Sequence, residues 1–222
     1  MFNPNAPLKG KFIVIDGADY CGKGSQHRML GAYLLDHPLD RDNKYINVVM
    51  TREPFNTEYT KEIRQILKES KDLRNVARRL FELYVFDREL HVVSLIEPLT
   101  VESGVIVFSD RYKYSTEAYQ SLQGIPLEEI LKAHKEMPVP DLTLFIKVPV
   151  EERLRRKAAL KDRPYDEVFE KDNEFQKKLD AQYDSLVKIH SNENIVVIDG
   201  NRPKEAVFED IKSHVDKLLF NK

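Results

Sequence analysis

Five short runs of apolar, largely β-branched residues punctuate the chain: KFIVID (11–16), YINVVMT (45–51), GVIVFSD (104–110), DLTLFIKV (141–148) and NIVVID (194–199). Each is nearly continuous in Val, Ile, Leu or Phe, the pattern of strands covered on both faces. Between them the apolar spacing lengthens to that of helices. In EYTKEIRQILKES, Tyr59, Ile63, Ile66 and Leu67 recur at i, i+4, i+7 and i+8, and in NEFQKKLDAQYDSLVKI, Phe175, Leu179, Tyr183 and Leu186 form a similar stripe. Strands alternating with helices predict a parallel sheet in an α/β sandwich with right-handed crossovers. The segment from Leu73 to Glu102 is long, helical in pattern and apolar on more than one face, which suits either a central core helix or a dimer interface. No repeat, low-complexity tract or Pro/Gly/Ser linker interrupts the pattern, so a single domain over 1–222 is expected.

Composition narrows the class. Hydrophobic residues make up 41% and charged residues 32%, an ordinary globular balance. A net charge of -2 argues against a broad basic face, and hence against nonspecific nucleic-acid binding. Cys21 is the one cysteine, which excludes an internal disulfide or a thiolate metal cluster, and the six histidines form no metal-spaced pair with carboxylates. No apolar run approaches a membrane-spanning length, and the start MFNPNAPLKGK lacks a signal-peptide core, so a cytoplasmic protein with no membrane partner is expected.

The chemistry begins in FIVIDGADYCGKGSQ. Gly17, Gly22 and Lys23 sit at the spacing G-x-x-x-x-G-K, directly after a buried strand and directly before the helical SQHRMLGAYLL. That context marks a phosphate-binding loop, in which backbone N–H groups and a helix N-terminus cradle phosphates and Lys23 reaches the β- and γ-phosphates. Gly24 stands where a Ser or Thr usually places a hydroxyl on Mg²⁺; Ser25 follows at once. GKGSQ is similar to the GKGTQ of adenylate kinases, whose metal is held largely through water. Cys21 lies where a helix N-terminus would favour a thiolate, although a small residue packed in a tight loop is the simpler reading.

Two further constellations bear on the acceptor. FSDRYKYSTEAYQ (108–120) places Asp110 and Arg111 at the C-terminal end of a central strand, where open α/β sheets bind ligands, and sets Ser115 and Tyr119 on one helix face. LFELYVFDRELH (80–91) pairs a flat ring, Tyr84, with a planar cation, Arg88, at i, i+4, a combination able to stack on a base and bond its carbonyl edge. Taken with GADYCGK, TREP and PDLTLFIKV, the motifs YVFDR and DRYKYSTEAYQ resemble those of the thymidylate kinase family, in the same order and over about residues 10 to 200. The DRY…S…AYQ block is the specific part; the phosphate loop alone would indicate only the wider nucleoside monophosphate kinase superfamily.

The resemblance implies a P-loop NTPase-type three-layer sandwich with a five-stranded parallel sheet in the order 2-3-1-4-5. It implies transfer of a phosphoryl group from ATP to dTMP with Mg²⁺, and a homodimer. ATP would lie on Gly17, Ala18, Asp19, Tyr20, Cys21, Gly22, Lys23, Gly24, Ser25 and Gln26, and position alone adds Asn201 and Arg202. By the same resemblance Asp19 faces the acceptor sugar and the metal, Arg111 holds the acceptor 5′-phosphate, and Asp110 orders the Mg²⁺ shell, with Ser25 the nearest hydroxyl. Arg52, Glu53 and Pro54 shape the acceptor site; Tyr84 stacks on thymine and Arg88 bonds its O4 edge. Ser115 or Thr116 meets the N3 side, and Tyr119, beside Gln120, crowds the sugar 2′ position. The family usually has Gly after the TREP proline; here Phe55 leaves that turn open.

Phosphoryl transfer asks for alignment and neutralised charge, so a cation beyond Lys23 is required near the transferring group. Some family members place an Arg in the slot of Tyr20, and others place cations in a lid. ERLRRKAALKDR gathers Arg153, Arg155, Arg156, Lys157, Lys161 and Arg163 in such a segment at about 150–170, with Arg156 and Arg163 the chosen pair. Two rivals stay open: another nucleotide or deoxynucleoside kinase of this fold, and a nucleotide-binding regulator whose catalysis has lapsed.

Overall fold

The computed structural model describes residues 10–36, 47–70, 72–101, 105–159 and 173–220. Five parallel strands, β1 (Lys11–Asp16), β2 (Asn47–Arg52), β3 (Val105–Asp110), β4 (Leu142–Lys147) and β5 (Ile195–Asp199), form one sheet in the order β2-β3-β1-β4-β5. This is the expected sandwich and strand order. Side chains alternate across the pleat. Phe12 and Val14 face a core shared with α3 (Ala77–His91), α5 (Lys113–Leu122) and α8 (Asn173–Ile189). Ile13 and Ile15 face a second core against α1 (Lys23–Asp36) and α9 (Lys204–Phe220).

The central strands β1, β3 and β4 are buried on both faces, as their apolar runs predict. The edge strands are not: β2 and β5 are partly exposed, and Val197 is 47% exposed. A continuous apolar run therefore marks a strand without revealing whether a neighbour covers it.

The long helical segment is a nearly unbroken run with local changes of winding. A 3₁₀ turn at Leu73–Val76 leads into α3, a π turn follows at Val92–Ile96, and α4 (Glu97–Val101) completes it. The wider turn immediately precedes Pro98, which has no N–H to donate and whose ring would crowd the carbonyl one turn earlier. Helix α3 packs on α2 (Glu58–Glu69) and α5.

Register positions the site. Ile15 of β1 and Arg52 of β2 both lie opposite Asp110 of β3, so three chain ends leave the sheet side by side. The segment after β1 turns at once through Gly17, whose φ of 143° is open to glycine alone without strain. A Cβ there would stand 2.6 Å from the Ile146 carbonyl oxygen. Gly17→Ala is expected to cost about 1–3 kcal/mol, read as a fall in Tm of roughly 2–4 °C per kcal/mol in a chain of this size. An unchanged Tm would show that the loop relaxes freely.

Candidate active site

The loop from Gly17 to Gly22 carries left-handed residues at Tyr20 (φ 62°) and Gly22 (φ 99°), separated by Cys21. Alternating left-handed and ordinary conformations make the backbone signature of an anion nest. Helix α1 opens beneath it, with Ser25 and Gln26 donating backbone N–H to the Gly22 carbonyl at 3.0 and 3.1 Å. Lys23 is buried and donates from Nζ to the Ala18 carbonyl at 3.2 Å and to Asp19 at 3.4 Å. Gln26 is tied at 2.9 Å to the Lys204 carbonyl at the start of α9. Cys21 is buried in the α1-side core, and burial pushes its thiol up, so the helix end does not yield a thiolate here.

Arg111 joins this loop to the cavity beyond it. Its φ of 77° is unusual for a residue with a side chain, and its N–H donates to the Ile15 carbonyl at 2.9 Å. The guanidinium then pairs with Asp19, donates to Ser115 Oγ at 2.7 Å and lies 5.7 Å from the Tyr119 ring centre. Tyr119 in turn donates its hydroxyl to Asp19 at 2.9 Å. Burial opposes ionisation of Asp19, but Arg111, Lys23 and the Tyr119 hydroxyl outweigh it and hold the carboxyl well below its ordinary range. Asp16, one turn behind, is fully buried, and that burial raises it despite Arg111. It accepts from the Gly17 N–H, Ser115 and Tyr183, and so fixes both loop and helix α5.

Beyond Arg111 opens a cavity of about 190 Å³, lined among others by Asp19, Glu53, Pro54, Tyr84, Arg88, Thr116 and Gln120. At its far end Arg88 is 2% exposed. It donates to Glu53 at 2.7 Å, to Thr116 Oγ1 at 2.9 Å and to the Tyr112 carbonyl at 3.2 Å, and contacts His134 Nε2 at 2.9 Å. His91 sits on the other Glu53 oxygen at 3.1 Å. Despite burial, Arg88 and His91 keep the Glu53 carboxyl below its ordinary value.

The structure separates residues that the sequence leaves grouped. Ser115 is bonded to Arg111 and Asp16, at the phosphate-loop end; Thr116 is the one that meets Arg88. In the basic segment, α7 (Val150–Ala159) buries Arg153 against Gln176 and Asp180, and Arg155 pairs with Glu152 on the surface. Arg156 alone of the described arginines there reaches the loop, donating to the Cys21 carbonyl at 3.2 Å and the Gly200 carbonyl at 2.9 Å. Lys161 and Arg163 lie outside the described residues. Asn201 lines an open groove with Lys147, Val148 and Val197, while Arg202 is paired with Asp199 and Asp210. Phe55 stacks on His91 at 4.3 Å and donates its N–H to Asp87, so the departure from glycine fills the turn with a ring. The sequence reading missed Asp16, Asp87, Glu117, His134 and His190, because each acts on another side chain across the fold and carries no local motif.

The donor set suits Mg²⁺. Asp110 Oδ1 is buried and has no hydrogen-bond partner among the described residues, and Oδ2 lies 3.8 Å from where a Gly24 Cβ would stand. No group of three or more His, Cys, Asp or Glu is gathered for a metal among the described residues. Mg²⁺ asks for only one or two carboxylates, the rest being phosphate and water.

A family model described as thymidylate kinase matches residues 15–211. The chain belongs to the thymidylate kinase family. A thymidylate kinase of Prochlorococcus marinus (strain NATL1A) is 34% identical, over 97% of this chain and 100% of its own length. A probable thymidylate kinase of Pyrococcus abyssi is 33% identical over 96% and 98%, and a thymidylate kinase of Desulfotalea psychrophila is 40% identical over 66% and 68%. The family motifs fall on the walls just described, with GADYCGK as the loop, TREP at the end of β2, YVFDR on α3, and DRYKYSTEAYQ from the end of β3 through α5.

Behind the cavity, His134, Glu117, His190 and Glu193 form a buried chain, and burial with its partners sets each charge. Burial takes His134 down from 6.5 to about 4, whereas Glu117 and Glu193, outweighing burial, take His190 up to about 9. Glu117 and Glu193 are held at about 2, against burial, by the histidines and Lys113. The unfolded chain binds more protons at His134 between pH 4 and 6.5, so stability falls as pH drops through that window. The His190 contribution is complete below 6.5 and lost as pH rises to about 9. The carboxylates lose theirs only as pH falls from 4.5 through about 2. Tm is therefore expected to peak near pH 6.5 and decline on both sides; a flat profile from pH 5 to 9 would contradict these assignments.

Proposed function

We propose that the chain moves the γ-phosphoryl group of ATP onto the 5′-phosphate oxygen of dTMP, releasing ADP and dTDP. The observation that carries this reading is the continuity of loop and cavity: Asp19 belongs to both, and Arg111 bridges them. The nest and Lys23 hold the donor phosphates, Arg111 takes the acceptor phosphate, and Asp19 orients Arg111. The acceptor is already anionic, so no general base is needed, and alignment with charge neutralisation carries the rate. Asp110 and Ser25 would hold Mg²⁺ through its water shell, and the ion would neutralise charge on the donor phosphates. Arg156, anchored over the loop, supplies the added cation, with Arg163 as its partner. Tyr84 stacks on the base, Arg88 bonds its carbonyl edge, and Tyr119 crowds the sugar 2′ position. Glu53, Pro54, Thr116 and Gln120 complete the acceptor wall, Arg52 shapes the site from the adjoining groove it lines with Pro54 and Phe55, and Asn201 and Arg202 flank the donor base.

Purified protein assayed with ATP, Mg²⁺ and a panel of nucleoside monophosphates is expected to prefer dTMP. Lys23→Ala and Arg111→Ala are each expected to lower turnover by about 10³-fold, with Arg156→Ala of similar order. A preference for AMP, or full activity in the Lys23 and Arg111 variants, would overturn the reading. A turnover change under about tenfold in both Arg156→Ala and Arg163→Ala would remove those cations from the transition state.

We further propose a homodimer through the outer face of α3 and its π continuation, where Phe86, Leu90 and Val93 are exposed at i, i+4 and i+7. Leu90→Glu is expected to shift the protein to monomer in light scattering; an unchanged mass would place the interface elsewhere.

A further inference from the structure

Arg88 offers five N–H donors and no acceptor. Among the described residues, Nε donates to Glu53, Nη2 to the Tyr112 carbonyl and Thr116, and Nη1 to His134, which leaves one Nη1 hydrogen for the cavity. The bond from Nη1 fixes the chemistry of His134. A guanidinium can only donate, so His134 Nε2 must accept. Its Nδ1 lies 2.9 Å from Glu117 Oε1, a carboxylate that can only accept, so Nδ1 must donate. The neutral Nδ1–H tautomer is the one form that satisfies both contacts. Glu117 is itself held at 2.7 Å by His190 Nε2, and His190 Nδ1 faces Glu193 at 2.9 Å, so that ring donates from both nitrogens and is an imidazolium. Lys113 closes the chain on Glu193 at 2.8 Å. The result alternates in charge from Lys113 to Glu53, with His134 as its neutral member and every link buried or nearly so.

We infer that His134 is a positioning residue for substrate selection: backed by Glu117 and His190, it accepts one Arg88 N–H and aims the remaining one so that the site takes a base with a carbonyl at that edge and rejects one with an amino group. This rests on the assignment of Arg88 to the base of the acceptor nucleotide. It reaches further, because it places the discrimination between dTMP and dCMP partly on a side chain that lines no part of the cavity and caps the C-terminal end of α6 (Leu127–Ala133). If Arg88 could swing, the cation could turn another hydrogen-bonding arrangement toward the ligand. With Glu53, Thr116, the Tyr112 carbonyl and His134 around it, it has one orientation. The charged groups facing His134 are Arg88 from α3 and Glu117 and Lys113 from α5; the first and last disfavour a proton on it and Glu117 favours one, and burial with the two cations prevails.

The test compares kcat/KM for dTMP and dCMP in wild type, Arg88→Lys, His134→Leu and His134→Gln. His134→Leu is expected to lower the dTMP preference by about tenfold or more, through KM for dTMP, with KM for ATP within about twofold. His134→Gln, whose amide offers one acceptor and one donor, is expected to restore the preference to within about threefold. A purely structural role would lower Tm without moving the preference. A preference lost in Arg88→Lys but intact in His134→Leu overturns the positioning role alone. Intact in both, it removes Arg88 from base recognition as well. Independently of any variant, ¹⁵N NMR of the imidazoles at pH 7 should show His134 as the neutral Nδ1–H tautomer and His190 as an imidazolium; an Nε2–H or charged His134 overturns the inference.

Discussion

The pairing of Arg111 with Asp19 is the constraint on which the remaining architecture depends. One partner leaves the end of β3 with a left-handed backbone; the other leaves the end of β1 in the phosphate loop. Their meeting makes two separate chain ends into a single wall. Parallel register makes this possible, since Ile15 and Arg52 both stand opposite Asp110. Neither group is stable alone in that position. Both are largely withdrawn from water, and an unpaired buried charge is costly, so each makes the other tolerable. Ser115, Tyr119 and Lys23 satisfy their remaining hydrogen bonds, and Asp16 anchors the assembly from beneath.

Similar logic operates at the opposite end of the cavity, over a longer path. Arg88 is more deeply buried than Arg111 and is held on several sides by oxygen and nitrogen. Its counter-charges do not stop at Glu53. They continue through α5 and the end of α8, where His134 links Arg88 to Glu117 and His190 sits between Glu117 and Glu193, each in a defined protonation state. Buried polar networks are favourable only when every member is satisfied, and among the described residues the members here have their partners, save the one Arg88 N–H left for the cavity. The expected consequence is a rigid far end of the cavity, its shape set before any ligand arrives.

Much of this is legible in the chain. Strand runs, the phosphate loop and the DRY…AYQ block have local signatures, because backbone geometry at a turn or spacing along one helix determines what they do. Alternation of strand and helix runs implies a parallel sheet, and the family resemblance of the motifs, not the runs themselves, implies its strand order. The groups behind the site are not legible that way. His134 reads as one more histidine near a loop, Glu117 as one of many acids on a helix, and Asp16 as the tail of a strand; each acquires meaning only across distances of 17 to 167 residues. Edge exposure of β2 and β5 is hidden for a related reason, since it depends on which neighbour is missing. The basic segment shows the limit most clearly. Four arginines and two lysines within eleven positions look alike in the sequence, yet Arg153 is a buried structural tie, Arg155 a surface ion pair and Arg156 a clamp on the loop.

The most direct measurement of the central claim is a crystal structure of the protein with ADP, Mg²⁺ and dTMP bound. The account predicts the ADP phosphates on the Gly17–Ser25 loop, the dTMP phosphate on Arg111, and the thymine ring between Tyr84 and the remaining Arg88 N–H. A dTMP molecule seated elsewhere, or one whose phosphate lies away from Arg111 and the loop, would contradict it.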